Sequence, residues 1–218
     1  MQAGERNEAM MQLIFALRSA GVTDRAVLDA MESIPRDLFV ESPFQERAFE
    51  NHPLPIPCGQ TISQPSIVGR MTQALDLTPR SKVLEIGAGS GYQTAILARL
   101  ARRVYGLERH RPLALTARAR IEQLGMSNVT IRAGDGTRGW PEQAPFDRIL
   151  IAAAADDAPK PLLDQLRVGG IMVLPVGESD DVQQLIRIEK TEDGHQYSEL
   201  GDVLFVPLIE GMAEDPGS

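Results

Sequence analysis

The chain has 218 residues, which suits one large domain or one domain with an appendage, and its 43% hydrophobic content is ordinary for a globular core. A formal net charge of −8 argues against an extended nucleic-acid surface, which needs a basic stripe. No apolar run approaches the ~20 residues of a membrane span, residues 1–8 are polar and lack a signal-peptide core, and the single cysteine, Cys58, has no internal disulfide partner, so a cytoplasmic protein is expected.

In chain order, Met10, Leu13, Ile14 and Leu17 fall at helical spacing, predicting a helix over 7–20 that Gly21 stops. Thr23 or Asp24 can cap a second helix carrying Val27, Leu28 and Met31, which ends at Ile34-Pro35 because proline disfavours helix in the residue before it. This pair reads as a lid or packing layer. Residues 35–66 differ: they hold Pro35, Pro43, Pro53, Pro55, Pro57 and Pro65, and 54–65 carries no charged side chain. The stretch 54–65 reads as a long irregular loop, ordered by Leu54, Ile56 and Ile62. A helix from Ser66 runs through Ile67, Met71 and Leu75, and Pro79 closes it.

Strand and helix then alternate. Strands are predicted at 83–86, 103–108, 129–132, 146–151 and 171–174, with helices at 92–100, 111–124 (Gly125 as C-cap) and 161–166. Such alternation predicts an α/β fold with a mostly parallel sheet covered on both faces. Past Gly177, two strand-like runs, 182–189 and 203–208, are separated by a polar turn at 192–194 and predict an antiparallel edge hairpin. The tail after Gly211 is expected to be disordered.

The chain is organised around 82–93, Lys-Val-Leu-Glu-Ile-Gly-Ala-Gly-Ser-Gly-Tyr-Gln: a buried strand, a glycine turn and a helix N-terminus. Gly87, Gly89 and Gly91 follow Gly-x-Gly-x-Gly, not the Gly-x-Gly-x-x-Gly that seats a pyrophosphate. Glu85 just before them would repel a pyrophosphate and suit a ligand with a cationic amino-acid end, such as S-adenosylmethionine. Glu108 ends the next strand, where such folds present a carboxylate to ribose hydroxyls; an exposed strand-end glutamate is the plain alternative. Asp135-Gly136 follows the third strand as either an adenine-binding corner or an ordinary Asp-Gly turn.

Other chemistry is absent. Residues 152–155, four alanines, lack the acceptor oxygens that methylation of base amines uses. Cys58 follows Pro57 but precedes the first parallel strand, and reads as a packed thiol. No hydrolase triad is visible, and His52, His110 and His195 show no metal-ligand spacing and read as structural or exposed. Ser63, in Gln60-Thr-Ile-Ser-Gln-Pro65, could hydrogen-bond an acceptor carboxylate. From the residues alone, a turn serine near a helix cap is the simpler reading.

These stretches together resemble the protein-L-isoaspartate O-methyltransferase family: 83–93, the loop 59–65, Asp135-Gly136 with Gly139-Trp-Pro141, 162–170, Pro35-Arg-Asp-Leu-Phe-Val40 and 203–208. The resemblance runs from about residue 10 to 208, and the Gln-Thr-Ile-Ser-Gln-Pro loop is its specific part. It implies S-adenosylmethionine as donor, an L-isoaspartyl residue of a peptide or damaged protein as acceptor, and Ser63 as the active-site residue. It implies Glu85, Gly87, Ala88, Gly89 and Gly91 at the methionine end, Glu108 on the ribose, and Asp135 with Gly136 at the adenine, while Gln60, Thr61, Ile62 and Val68 line the pocket. The fold implied is a Rossmann-like methyltransferase: a doubly wound, mostly parallel sheet with antiparallel C-terminal strands and an N-terminal helical layer. One domain is expected, with a cap and active-site loop (1–78), a cofactor core (79–177), C-terminal strands (178–210) and a flexible tail (211–218). No metal, nucleic-acid or membrane partner is expected, and the protein is expected to be a monomer. Ala152, where many members carry Thr, and Asp156-Asp157 depart from the pattern near the substrate mouth. A peptide-tailoring methyltransferase acting on ordinary Asp and a non-catalytic cofactor-binding module are the alternatives; the first would carry extra substrate-binding sequence, and the second would lack the glycines, Glu108 or Ser63.

Overall fold

The computed structural model describes residues 3–178 and 181–214. Helices α1 (Ala3–Ser19) and α2 (Arg25–Ser33) form the N-terminal layer. Asp24 caps α2, its carboxylate accepting from the backbone N–H of Ala26 and Val27. Short 3₁₀ turns, Arg36–Phe39 and Ser42–Arg47, lead to a hairpin of β1 (Leu54–Ile56) and β2 (Gln60–Ile62), then to α3 (Pro65–Ala74).

The hairpin replaces the irregular loop expected over 54–65. Leu54 pairs with Ile62 and Ile56 with Gln60, and the turn passes through Cys58 and Gly59, both at positive φ. Leu54, Ile56 and Ile62 are buried while Pro55 points outward. Proline is tolerated at such an edge because the strand needs no N–H there, so the apolar alternation was hidden behind the prolines.

The core follows as β3 (Lys82–Ile86), α4 (Tyr92–Leu100), β4 (Arg103–Glu108), α5 (Arg111–Gln123), β5 (Val129–Ala133), β6 (Phe146–Ile151), α6 (Lys160–Gln165), β7 (Leu166–Val176), β8 (Gln183–Lys190) and β9 (His195–Val203). Seven strands form one sheet in the order β5-β4-β3-β6-β7-β8-β9. Strands β5 to β7 are mutually parallel, and β8 and β9 run antiparallel. The chain starts at β3, winds outward to β5, then returns to β6 on the other side. That reversal opens a crevice at the carboxyl ends of the central strands, where α/β proteins bind ligands. The central strands are buried nearly throughout, as two covered faces require. The N-terminal layer shares one apolar cluster with α4 and α5, through Leu13, Leu17, Met31, Ile96 and Ala117, so it is fixed to the β3–β5 half of the sheet.

One C-terminal expectation is corrected. The last strand is His195–Val203, not 203–208. Its side chains are mostly exposed at the sheet edge, so it shows no apolar alternation, whereas the apolar run after it leaves the sheet. That run crosses to the end of β6, where Ala154 N–H donates to the Val206 carbonyl and Leu208 N–H donates to the Ala154 carbonyl. Residues 211–214 are tied down as well: Ala213 N–H donates to the Arg109 carbonyl and Arg109 Nε to the Gly211 carbonyl. The rest of the expected flexible tail, 215–218, lies outside the described residues. No described helix is long and apolar enough to cross a membrane.

Candidate active site

The glycine turn joins β3 to α4 with Gly87, Gly89 and Gly91 at φ of 83°, 52° and 89°, a region L side chains avoid. Gly87 and Ala88 donate their N–H groups to the Leu107 carbonyl on β4, which pins the turn over the strand ends. Glu108 completes the corner. One carboxylate oxygen accepts from Gly89 N–H at 2.8 Å and the other from His110 N–H at 2.9 Å. Each oxygen keeps a further lone pair, and Glu108 lines the cavity, an arrangement suited to a vicinal diol.

A cavity of about 90 Å³ opens beside this corner. Its walls include Gln60, Thr61, Ile62, Ser63 and Val68 from the hairpin side, and Gly87, Ala88, Gly89, Glu108 and Gly136 from the sheet. A Cβ on Gly136 would sit 2.4 Å from Ile86 Cγ2, so only glycine lets that turn close on β3. Met71, Tyr92, Gln93, Arg109 and His110 also line it, and Val206, Pro207, Leu208 and Ile209 roof it. His110, read as structural or exposed, is therefore a wall residue; its place two residues after Glu108 was the available signal. Of this roof, 206–208 could be seen only within the family-like stretch 203–208, which read as a strand. Ala152 lines the cavity, while Asp156 and Asp157 do not.

Three residues placed at the cofactor by resemblance do not line the cavity: Glu85, Gly91 and Asp135. Gly91 faces α5, where a Cβ would lie 3.1 Å from that of Ala117, so its small size sets helix packing. Asp135 is engaged within its own turn, accepting from the Thr137 N–H at 2.9 Å and hydroxyl at 2.7 Å, with Arg138 Nε at 3.4 Å and the Gly211 N–H alongside. Burial alone would raise its carboxyl, but the Thr137 hydrogen bonds, with Gly211 and Arg138, hold it below the usual range.

Glu85 is fully buried behind the turn. The Thr94 hydroxyl donates to one oxygen at 2.5 Å, and the other has no partner among the described residues. Burial pushes its carboxyl up to about 8, Thr94 opposes that, and Glu108 adds to it. A folded value of about 8 against an ordinary 4.5 means the native state holds a proton that the unfolded chain releases between those pH values. The stabilisation is thus fully present below about pH 4.5 and lost as pH rises through about 8, at up to ~1.4 kcal/mol per pH unit. Glu85→Gln should remove this dependence. In urea unfolding of the ligand-free protein, wild type should lose stability relative to the variant between pH 5 and 8, and parallel curves would contradict the assignment.

Ser63 stands just beyond β2, half-buried at the cavity wall. Among the described residues nothing hydrogen-bonds its hydroxyl. The capping role open to it is filled elsewhere: Asn51 Oδ1 accepts from Ser66 N–H at 2.9 Å in the first turn of α3. Its carbonyl is held, at 2.9 Å, by Nη2 of Arg36. Gln93 is oriented too. The Thr72 hydroxyl donates to the Val68 carbonyl, so it can only accept from Gln93 Nε2, leaving the amide oxygen as the free end. The diol acceptor, glycine cradle and uncharged oriented amide fit S-adenosylmethionine, and no described cluster of His, Cys, Asp and Glu could hold a metal ion.

Comparison with known proteins agrees. The profile of the family described as Protein-L-isoaspartate(D-aspartate) O-methyltransferase (PCMT) matches residues 6–213. A protein-L-isoaspartate O-methyltransferase of Ruegeria sp. (strain TM1040) is 60% identical over 213 residues, 98% of this chain and 99% of its own. That of Paracoccus denitrificans is 60% identical over 210 residues, 96% of this chain and 97% of its own. Among solved structures, a putative Plasmodium falciparum protein-L-isoaspartate O-methyltransferase in complex with S-adenosyl-L-homocysteine superposes with a TM-score of 0.78 at 27% identity, over 91% of this chain and 97% of that one. Another protein-L-isoaspartate O-methyltransferase gives 0.82 at 27% identity, over 91% of this chain, which spans 65% of that protein's length.

Proposed function

We infer that this chain, which belongs to the protein-L-isoaspartate O-methyltransferase family, methylates the free α-carboxylate of L-isoaspartyl residues in peptides and damaged proteins. The observation that carries the reading is one cavity shared by the glycine–Glu108 corner and the unengaged Ser63 hydroxyl. S-adenosylmethionine, when bound, supplies an electrophilic methyl group. Glu108 would hold its ribose hydroxyls, Gly87, Ala88 and Gly89 would lie against its amino-acid end, and Gly136 would face its adenine. Gln60, Thr61, Ile62 and Val68 would form the opposite wall. Glu85, Gly91 and Asp135 would act from behind, by shaping the turns.

The acceptor carboxylate has an ordinary pKa of roughly 3.3–3.7, so it is ionised at neutral pH and no general base is required. Ser63 would orient it by donating a hydrogen bond from a fixed loop. The cavity walls would then hold the reacting groups in line, and positioning of this kind can supply ~7–11 kcal/mol. The methyl ester would close to a succinimide and reopen partly as normal aspartate, so the outcome is repair. The chain is proposed to work as one domain and as a monomer in the cytoplasm; its net charge of −8 supports the absence of a nucleic-acid partner.

An isoaspartyl peptide and the same peptide with its α-carboxyl amidated separate this reading from transfer elsewhere on the chain. Mass spectrometry should find a methyl ester or succinimide only with the free carboxylate. Methylation of the amidated peptide would contradict it.

A further inference from the structure

Arg36 is fully buried, yet it lies outside the cavity wall and no carboxylate pairs with it among the described residues. Its guanidinium instead gathers main-chain carbonyls from three segments. Nη1 donates to Ala48 at 2.7 Å, and Nη2 to Ser63 at 2.9 Å and His52 at 3.4 Å. The guanidinium carbon lies 5.3 Å from the centre of the Tyr92 ring. Ser63 and Tyr92 both line the cavity, so Arg36 sits one residue behind it at two places.

Burying a cation without a counter-ion costs several kcal/mol, and packing alone does not require it, since an uncharged side chain of similar volume would fill the space. Two features of the planar fork bear on the site. It meets three carbonyls from two nitrogens of a rigid plane, where an ammonium offers one point charge on a flexible stem. It also leaves a positive charge, paired with no carboxylate among the described residues, behind the wall where an anionic acceptor would dock.

We propose that Arg36 is a positioning residue for methyl transfer: it fixes the main chain at Ser63 so that the hydroxyl stays turned to the cavity, and its charge favours an acceptor that carries a carboxylate. This rests on the reading of Ser63 as the active-site residue.

The test compares Arg36→Lys, which keeps the charge and loses the fork, with Arg36→Met, which loses both. Arg36→Lys should lower kcat tenfold or more, with S-adenosylhomocysteine affinity and peptide KM within threefold of wild type. Arg36→Met should lower kcat similarly and raise peptide KM by fivefold or more. In a Ser63→Ala background, Arg36→Lys should cost less than a further threefold, because the group it positions is gone. An undiminished tenfold loss there, or a loss of cofactor affinity parallel to kcat, would make Arg36 general scaffolding and overturn the proposal. So would wild-type kinetics in both single variants. If Ser63→Ala alone leaves turnover unchanged, the reading of Ser63 fails as well; if Ser63→Ala is impaired and Arg36→Lys is not, only this inference fails. Should the Arg36 variants not fold, ¹⁵N NMR of the wild-type protein decides. With S-adenosylhomocysteine bound, the isoaspartyl peptide should shift the Arg36 guanidinium resonances and the amidated peptide should not; equal or absent shifts would overturn the proposal.

Discussion

Glu108→Gln is expected to weaken S-adenosylhomocysteine binding by at least about 100-fold while the protein remains folded. Two N–H groups, from Gly89 and His110, now point at two carboxylate oxygens. A glutamine offers one oxygen, so its NH₂ must face one of those donors. The remaining lone pairs that would receive two ribose hydroxyls are reduced at the same time. A hydrogen bond to a charged group contributes ~1.5–3 kcal/mol, so loss of both amounts to ~3–6 kcal/mol, and each ~1.4 kcal/mol is tenfold. Titration calorimetry measures the affinity, and a thermal melt shows that the turn has survived the donor facing a donor. A change below threefold in a folded variant would remove Glu108 from the ribose.

Ser63→Ala is expected to lower kcat about 10- to 100-fold with S-adenosylhomocysteine affinity within threefold of wild type. The hydroxyl has no partner among the described residues, so its removal leaves no protein group unsatisfied. The hairpin is anchored by Leu54, Ile56 and Ile62, and the Ser63 carbonyl by Arg36, and none of these is touched. What remains is the lost hydrogen bond to the acceptor carboxylate, ~1.5–3 kcal/mol. Unchanged turnover would exclude Ser63 from the reaction, and a matching loss of cofactor affinity would move its role to the cofactor.

The parallel core was legible because its elements carry strong local signals. The span Tyr92–Leu100 is a helix as its pattern indicates, and β3 and β6 are apolar runs bounded by turns. Where pattern and structure part, non-local geometry decides. Prolines at 53, 55 and 57 mask the period-two alternation of the hairpin, and an edge strand such as β9 has one neighbour and so little apolar content. The apolar run after β9 is held at the end of β6 by backbone hydrogen bonds that no side-chain pattern encodes, while Leu204 and Ile209 stay exposed.

The site divides in the same way. Gly87, Gly89 and Glu108 come together at the cavity wall because strand, turn and helix fix their places locally. Glu85 was expected to face the ligand as an anion. Alternation along β3 turns it toward Thr94, away from the cavity, where burial keeps it protonated at neutral pH. Asp135 looks the same in sequence whether it meets a ligand or closes its own turn, and here Thr137 and Gly211 engage it. Arg36 could be seen only as part of a family-like stretch, since its three carbonyl partners lie 12 to 27 residues away.

The most direct measurement uses two synthetic peptides identical except for L-isoaspartate or aspartate at one position, each incubated with the protein and S-adenosylmethionine and followed by mass spectrometry. The isoaspartyl peptide alone should gain a methyl ester, then pass through succinimide to a mixture containing normal aspartate. Esterification of the aspartyl peptide, or of neither peptide while S-adenosylhomocysteine still binds, would contradict the assignment of this cavity to isoaspartyl repair.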